Sequence, residues 1–258
     1  MARHIAVTGT ASGIGRVLAA QLRDQGADVI GVDLKDAAVC ADLSTRAGRD
    51  RAVREVLERS GGTLDAVVAC AGLSAPKPLT VSVNYFGVTA FVEGLRPALA
   101  RSAAPRVAVV GSIAGTRVFT NGVVDACLAG RERAALAAAE ALVARGEARL
   151  LYPSSKHALA RWVRRVCVTP EWAGAGIPVN AVAPGVVLTP MHAAVSETEE
   201  QRAAVDRAVP MPLGGYAEPE VIAHALKWLV SRENTHVTGQ VLYVDGGAEV
   251  SLRGAERV

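Results

Sequence analysis

Short apolar runs alternate along the chain with stretches in which apolar residues recur every three or four positions. The runs are His4-Ile5-Ala6-Val7, Val29-Ile30-Gly31-Val32, Val39-Cys40-Ala41, Ala66-Val67-Val68-Ala69, Val107 to Val110, Pro178 to Val182 and Val241-Leu242-Tyr243-Val244. They are too short for helices and lack the alternation of a strand with one wet face. Each therefore reads as a strand buried on both sides. Between them, Ile14 to Gln25, Arg46 to Arg59, Val81 to Leu99, Tyr152 to Trp172 and Glu220 to Val230 carry helical spacing; Val17, Leu18 and Leu22 share one face. Buried strands separated by helices predict a parallel sheet covered on both faces. Right-handed crossovers make that a doubly wound α/β (Rossmann) fold of about seven strands in one domain.

Two segments break this rhythm. Asn121 to Arg149 stands between the fifth strand and the long helix and reads as an insertion, with an Ala-rich helix from Arg131 to Arg145. Met191 to Gly214 mixes Met191, Ala193, Ala194, Val195 and Met211 with Glu197, Glu199, Glu200 and Arg202. An apolar inner face with a charged outer one predicts a lid over an apolar cleft. His192, inside it, is assigned no catalytic role.

Composition excludes more than it identifies. Half of the 258 residues are hydrophobic, enough for a sizeable core, and the net charge of +3 comes without a run of Lys and Arg. Nucleic acid is therefore not an expected partner. No apolar stretch reaches membrane-spanning length, and Met1-Ala2-Arg3 leads straight into a strand, so a cytoplasmic chain without a membrane partner is expected. Cys40, Cys70, Cys127 and Cys167 show no metal-ligand spacing, which predicts reduced thiols and no metal. Cys40 and Cys70 are expected to fill the core as small hydrophobes.

The first strand runs into Thr8-Gly9-Thr10-Ala11-Ser12-Gly13-Ile14-Gly15. Glycines at a strand–helix junction let backbone approach a pyrophosphate, and the helix start offers unpaired N–H groups to it. Asp33, ending the second strand, can bind both hydroxyls of an adenosine ribose and would repel a 2′-phosphate. No Arg or Lys stands at Ser12 or Leu34, so NAD is favoured over NADP. Asp42, with Leu43 beside it, ends the third strand where it can meet the adenine amino group. Ala71-Gly72 ends the fourth, where backbone can lie against the cofactor.

Tyr152 and Lys156 are four residues apart at the start of a helix and so share a face. A phenol with pKa about 10 is a poor base at neutral pH. A neighbouring ammonium and an oxidised nicotinamide both favour its phenolate. Ser112 follows the fifth strand, at the sheet end where open α/β folds bind ligands. Its hydroxyl can bond a substrate oxygen while Tyr152 exchanges a proton. Asn84 could hold a water beside Lys156.

Together, Thr8-Gly9-x3-Gly13-x-Gly15, Ala71-Gly72, Asn84, Ser112, Tyr152-x3-Lys156, Pro184-Gly185 and Thr238 to Gly247 resemble the short-chain dehydrogenase/reductase family across nearly the whole chain. The resemblance implies a catalytic tetrad of Asn84, Ser112, Tyr152 and Lys156. It implies that Lys156 also binds the nicotinamide ribose, and that Val187 and Thr189, after Pro184-Gly185, contact the carboxamide. Ala41-Asp42-Leu43-Ser44-Thr45 with Gly48-Arg49, the run Val81 to Gly87, and the long gap before Tyr152 are similar to the 3α-hydroxysteroid dehydrogenase/carbonyl reductase branch. Where the family usually has Asn-Asn-Ala-Gly, this chain has Ala69-Cys70-Ala71-Gly72. The implied activity is NAD(H)-dependent interconversion of a secondary alcohol and a ketone, on a steroid or another bulky apolar compound. A reductase of carrier-bound 3-ketoacyl groups and a non-catalytic NADH sensor are the alternatives. The family's members commonly assemble through the long helix, and the insertion is expected to obstruct that contact. A homo-oligomer built elsewhere follows, through the last helix and strand near Trp228 and Tyr243.

Overall fold

The computed structural model describes residues 2–193 and 198–256. Seven strands form one sheet: β1 (His4–Thr8), β2 (Asp28–Asp33), β3 (Val39–Cys40), β4 (Ala66–Ala69), β5 (Arg106–Val110), β6 (Val179–Pro184) and β7 (Val241–Val244). Their order is β3-β2-β1-β4-β5-β6-β7, and every neighbouring pair is parallel. Strand order reverses between β1 and β4, so the loops leaving these two strands diverge to opposite faces and open a crevice at their carboxyl ends.

Helices α1 (Gly13–Asp24) and α10 (Pro219–Leu229) cover one face. On the other lie α2 (Arg46–Arg59), α4 (Val88–Leu99) and α7 (Leu151–Val166), backed by the insertion helices α5 (Asn121–Leu128) and α6 (Glu132–Ala144). Two apolar cores result, one on each side of strands whose side chains are buried both ways, as in the fully buried β4 and β6. No helix among the described residues is long and apolar enough to cross a membrane.

Four local expectations need correction. The long helix stops at Val166 rather than Trp172. Pro170 disfavours helical backbone at Thr169, and the chain leaves in successive turns. Trp172 is buried all the same, edge-on to Trp162. The insertion holds two helices, because Gly130 takes a left-handed conformation (φ 66°) between them. The stretch from Val81 to Leu99 is not one regular helix: α3 (Leu79–Val81) passes into a π-helical turn, Ser82–Gly87, before α4. Cys40 is exposed, since β3 is a two-residue edge strand that buries Val39 and turns the next side chain outward. All four cysteines are unpaired thiols.

The segment expected to act as a lid contains the short α8 (Pro190–Ala193) and α9 (Glu199–Ala208). A capping box between Thr198 and Gln201 starts α9. Ala194, Val195 and Glu197 lie outside the described residues. Val205, Ala208, Val209 and Met211 pack with Ile113, Val186, Tyr243 and with Ala248 of α11 (Ala248–Arg253). The expected inner face is therefore apolar, while Glu199, Glu200 and Arg202 are exposed.

Candidate active site

The glycine segment bends tightly from β1 into α1. Gly9 has φ 77°, and a Cβ there would lie 2.9 Å from the Ala71 backbone nitrogen. A Cβ at Gly15 would lie 2.3 Å from the Gly9 carbonyl oxygen. Neither position tolerates a side chain without moving backbone. Ser12 at the helix start is extended and caps nothing with its side chain, so the N–H groups that open α1, through Ile14, carry no serine cap. Opposite, Thr189 Cγ2 lies 3.2 Å from where a Gly13 Cβ would be. The segment after β6 thus meets the glycine loop across the crevice.

Asp33 Oδ2 accepts from the Ala11 N–H at 2.9 Å and Oδ1 from the Leu34 N–H at 2.7 Å. These bonds fix a carboxylate beside the glycine loop at the end of β2. Asp42 is exposed and accepts from the Ser44 N–H at 2.9 Å. Leu43 is buried in the core under α4, which leaves only its backbone for a ligand. Gly185 lies against Met211 and Asp245, and Met211 Sδ accepts from the Val186 N–H at 3.2 Å. Val187 is buried and bridges to Ala217; Thr189 Oγ1 donates to its carbonyl at 3.3 Å. Pro184 ends β6 at the carboxyl end of the sheet. Glycine cradles, a helix start without a side-chain cap and a carboxylate at adjoining strand ends form a donor set that fits a dinucleotide.

The structure brings the expected catalytic residues together near the ends of β4 and β5. Lys156, only 4% exposed, donates from Nζ to the Val110 carbonyl at 2.8 Å and lies 5.8 Å from the centroid of the Tyr152 ring. Burial pulls its pKa down to about 8, with nearby Cys70 acting weakly the other way. Burial raises the Tyr152 phenol above its usual value, and the neighbouring Ser112 hydroxyl opposes that rise. Ser112 Oγ also accepts from the Ala114 N–H at 3.1 Å, capping the 3₁₀ turn Ile113–Thr116.

Asn84 is fully buried on the π-helical turn, a form of local backbone that often marks functional sites. Its Oδ1 accepts from the Leu73 N–H at 2.8 Å; its Nδ2 donates to the Leu73 carbonyl and to Ser155 Oγ, at 2.9 and 3.0 Å. A Cβ at Gly72 would lie 3.4 Å from Asn84 Oδ1 and 3.6 Å from Lys156 Nζ. The glycine therefore keeps a side chain out of the space bordered by both groups.

The family models match in two consecutive parts: "short chain dehydrogenase" over residues 3–126 and "Enoyl-(Acyl carrier protein) reductase" over residues 133–249. The gap between them, residues 127–132, spans the end of α5, the turn after it and the first residue of α6. A curated relative from Comamonas testosteroni, 3-alpha-hydroxysteroid dehydrogenase/carbonyl reductase, is 34% identical over 96% of this chain and 97% of its own. The chain belongs to the short-chain dehydrogenase/reductase family. The crystal structure of 3-alpha-hydroxysteroid dehydrogenase from Pseudomonas sp. B-0831, complexed with NADH, superimposes with a TM-score of 0.89 at 42% identity, covering 98% of this chain and 99% of that one. Cis-4-hydroxycyclohexanecarboxylate dehydrogenase from Sinomonas cyclohexanicum is 32% identical over 95% of this chain and 96% of its own. As a family member this protein is an oxidoreductase.

Residue-by-residue reading of the family's motifs misses the hydroxyls that hold them in place. Thr8 Oγ1 accepts from the Ala71 N–H at 2.9 Å and ties β1 to β4 across the crevice. Ser155 Oγ donates to the Tyr152 carbonyl at 2.8 Å while accepting from Asn84, so it joins the π-helical turn to α7. Ser154 Oγ accepts from the Thr120 N–H, and His157 bonds the Gly115 carbonyl while stacking on Phe119. The segment that begins at Ser112 is thereby anchored on α7. The one available signal was small polar residues inside a helix that opens on Tyr152, where they have no propensity advantage.

Proposed function

We propose that this protein interconverts a secondary alcohol and a ketone with NAD(H), on a hydroxysteroid or another bulky apolar ring compound. The observation that carries the reading is the convergence of Ser112, Tyr152 and Lys156 at the ends of adjoining strands, beside a dinucleotide-fitting glycine loop. Bound NAD(H) supplies or accepts a hydride at its nicotinamide. In reduction Tyr152 passes its phenolic proton to the ketone oxygen, and Ser112 donates a hydrogen bond to that same oxygen. The raised phenol pKa keeps Tyr152 protonated as this acid. In oxidation Tyr152 must take the proton back, and the Lys156 charge favours its phenolate. Asn84 and Lys156 border the space at Gly72 for a water that relays protons to solvent. Lys156 also holds the nicotinamide ribose, Asp33 the adenosine ribose and Asp42 the adenine. The loop Gly9, Ala11, Ser12, Gly13, Ile14 and Gly15 holds the pyrophosphate. Leu43, Ala71, Gly72, Pro184, Gly185, Val187 and Thr189 line the cofactor.

The apolar preference rests on the mouth of the cleft. Ile113, Val186 and Val209 form a buried apolar cluster between the Ser112 segment, the end of β6 and α9, and Val118, Leu188 and Met191 are exposed on the segments that leave β5 and β6. We assign the segment near Met191 to Gly214 as the lid. The insertion blocks pairing through α7, because Arg165 bonds the Leu128 carbonyl and Arg161 faces Asp125 along that helix. Assembly is assigned to α10 and β7 instead, and four free thiols suit a cytosolic compartment. The test is a panel of steroid and simpler ring ketones with NADH, and NADPH as control. Ring ketones should be reduced with NADH at least tenfold more efficiently than with NADPH; reduction with NADPH alone would overturn the cofactor assignment.

A further inference from the structure

Three arginines meet at the amino end of the sheet, opposite the end that carries the glycine loop. Arg3 precedes β1, Arg106 opens β5 and Arg232 lies on the turn after α10. Arg3 Nη2 and the Arg106 backbone N–H donate to one atom, the Asp65 carbonyl oxygen, at 3.2 and 3.1 Å. Arg106 Nη2 donates to the Arg232 carbonyl at 3.5 Å. Side chains alternate along a strand, and Ile5 and Ala108 pack on the side of α1 and α10. Arg3 and Arg106, each two residues earlier, therefore turn to that same side. Arg106 is buried and Arg232 is exposed.

These charges lack a counter-charge. No ion pair among the described residues engages any of the three. The Asp65 carboxylate acts on Arg3, but its oxygens are already held by the His4 N–H at 3.0 Å and the Ser102 hydroxyl at 2.6 Å. Burial lowers the Arg3 pKa, Asp65 opposes that fall, and the charges of Arg232 and Arg106 add to it. Both Arg3 Nε and Arg106 Nε are buried without a hydrogen-bond partner. A buried charged donor left unpaired is destabilising, and two of them on neighbouring guanidiniums call for a shared acceptor. The carboxyl-terminal end of α10 offsets about half an elementary charge. With Asp65 counted too, roughly one and a half positive charges remain, close to the opposite of a phosphate group at pH 7. We propose that Arg3, Arg106 and Arg232 bind a phosphate group at a site separate from the catalytic crevice. The group enters beside exposed Arg232 and gives the two Nε donors their acceptors; arginine forks suit phosphate oxygens in two-point contacts. It ties β1 and β5 to the end of α10. Nothing in this depends on ketone reduction at Tyr152.

The test uses NADH-saturated protein, so that the cofactor's own phosphate site is filled. Melting is compared in sodium phosphate and in sodium chloride of equal ionic strength, for the wild type, Arg232→Ala and Arg106→Met. The wild type should melt at least about 3 °C higher in phosphate. Titration calorimetry should find one phosphate per chain. Arg232→Ala changes an exposed side chain and should weaken that binding about tenfold or more. Arg106→Met should lose the phosphate response. Glucose 6-phosphate is tested in parallel: a response equal to that of inorganic phosphate supports the site and assigns it to a phosphate ester, and a response to inorganic phosphate alone supports it as a site for the free ion. A wild type that melts equally in phosphate and chloride overturns the proposal. So does an equal gain in the wild type and both variants, which phosphate produces generally through its exclusion from protein surfaces.

Discussion

At Lys156 burial and function pull in opposite directions. The proposed chemistry needs the ammonium beside Tyr152, yet burial lowers its pKa to about 8 from an ordinary 10.5. Between those values the unfolded chain binds the extra proton, so stability rises with pH there. The penalty is full below about 8 and gone above about 10.5. Lys156→Met should therefore raise the melting temperature at pH 7, and the difference from wild type should shrink as pH climbs toward 10; a destabilised variant at pH 7 would contradict this. At Asp33, Asp33→Ala should weaken NAD binding at least tenfold and narrow the preference over NADP, measured as kcat/KM for each cofactor. Tyr152, Lys156, Ser112 and Asn84 were legible because each sits at a spacing or strand end with a chemical reason. Ser155 and Thr8 were not, because their partners are distant in sequence and a lone hydroxyl carries no pattern.

Among the elements, the strands were legible because burial on both faces writes a continuous apolar run. The end of α7 was not: Trp172 is apolar and buried like a helical residue, although the helix has already stopped at Val166. The π-helical turn was invisible too, because nearly every residue from Ser82 to Gly87 is buried, which masks the one-residue shift of face. The insertion was legible as a segment, but its anchor was not. Arg49, almost fully buried on α2, makes a two-point bond to Glu132 at 2.8 and 3.0 Å, fastening the start of α6. Glu132→Ala would leave that guanidinium buried without its partner, a loss of about 3 kcal/mol. For a chain of this size, melting should fall by roughly 5–10 °C in calorimetry. An unchanged melting point would show that the pair contributes nothing.

For the whole molecule, the alternation of runs and helices sufficed for a doubly wound sheet, because right-handed crossovers leave few topologies. Assembly is not written there in the same way, since any apolar surface residue reads as ordinary. The structure narrows the proposed interface. Tyr243 packs inward toward Ile113 and the lid, while Leu242 on the edge strand β7 is 39% exposed and Trp228 on α10 is 42% exposed. An open strand edge flanked by apolar side chains invites pairing with a second copy. A dimer in light scattering that dissociates in Trp228→Glu is the expected outcome; an assembly indifferent to that change would place the interface elsewhere.

The fold, the glycine loop and the insertion all bear on one claim, that Tyr152 moves the proton of a ketone reduction. The most direct measurement is NADH consumption with a ring ketone by the wild type and by Tyr152→Phe, with NADH binding followed separately by fluorescence. The account predicts alcohol formed in step with NADH oxidised, and a variant that binds NADH normally yet turns over about 10²–10⁴-fold more slowly. A Tyr152→Phe enzyme with undiminished turnover would contradict it.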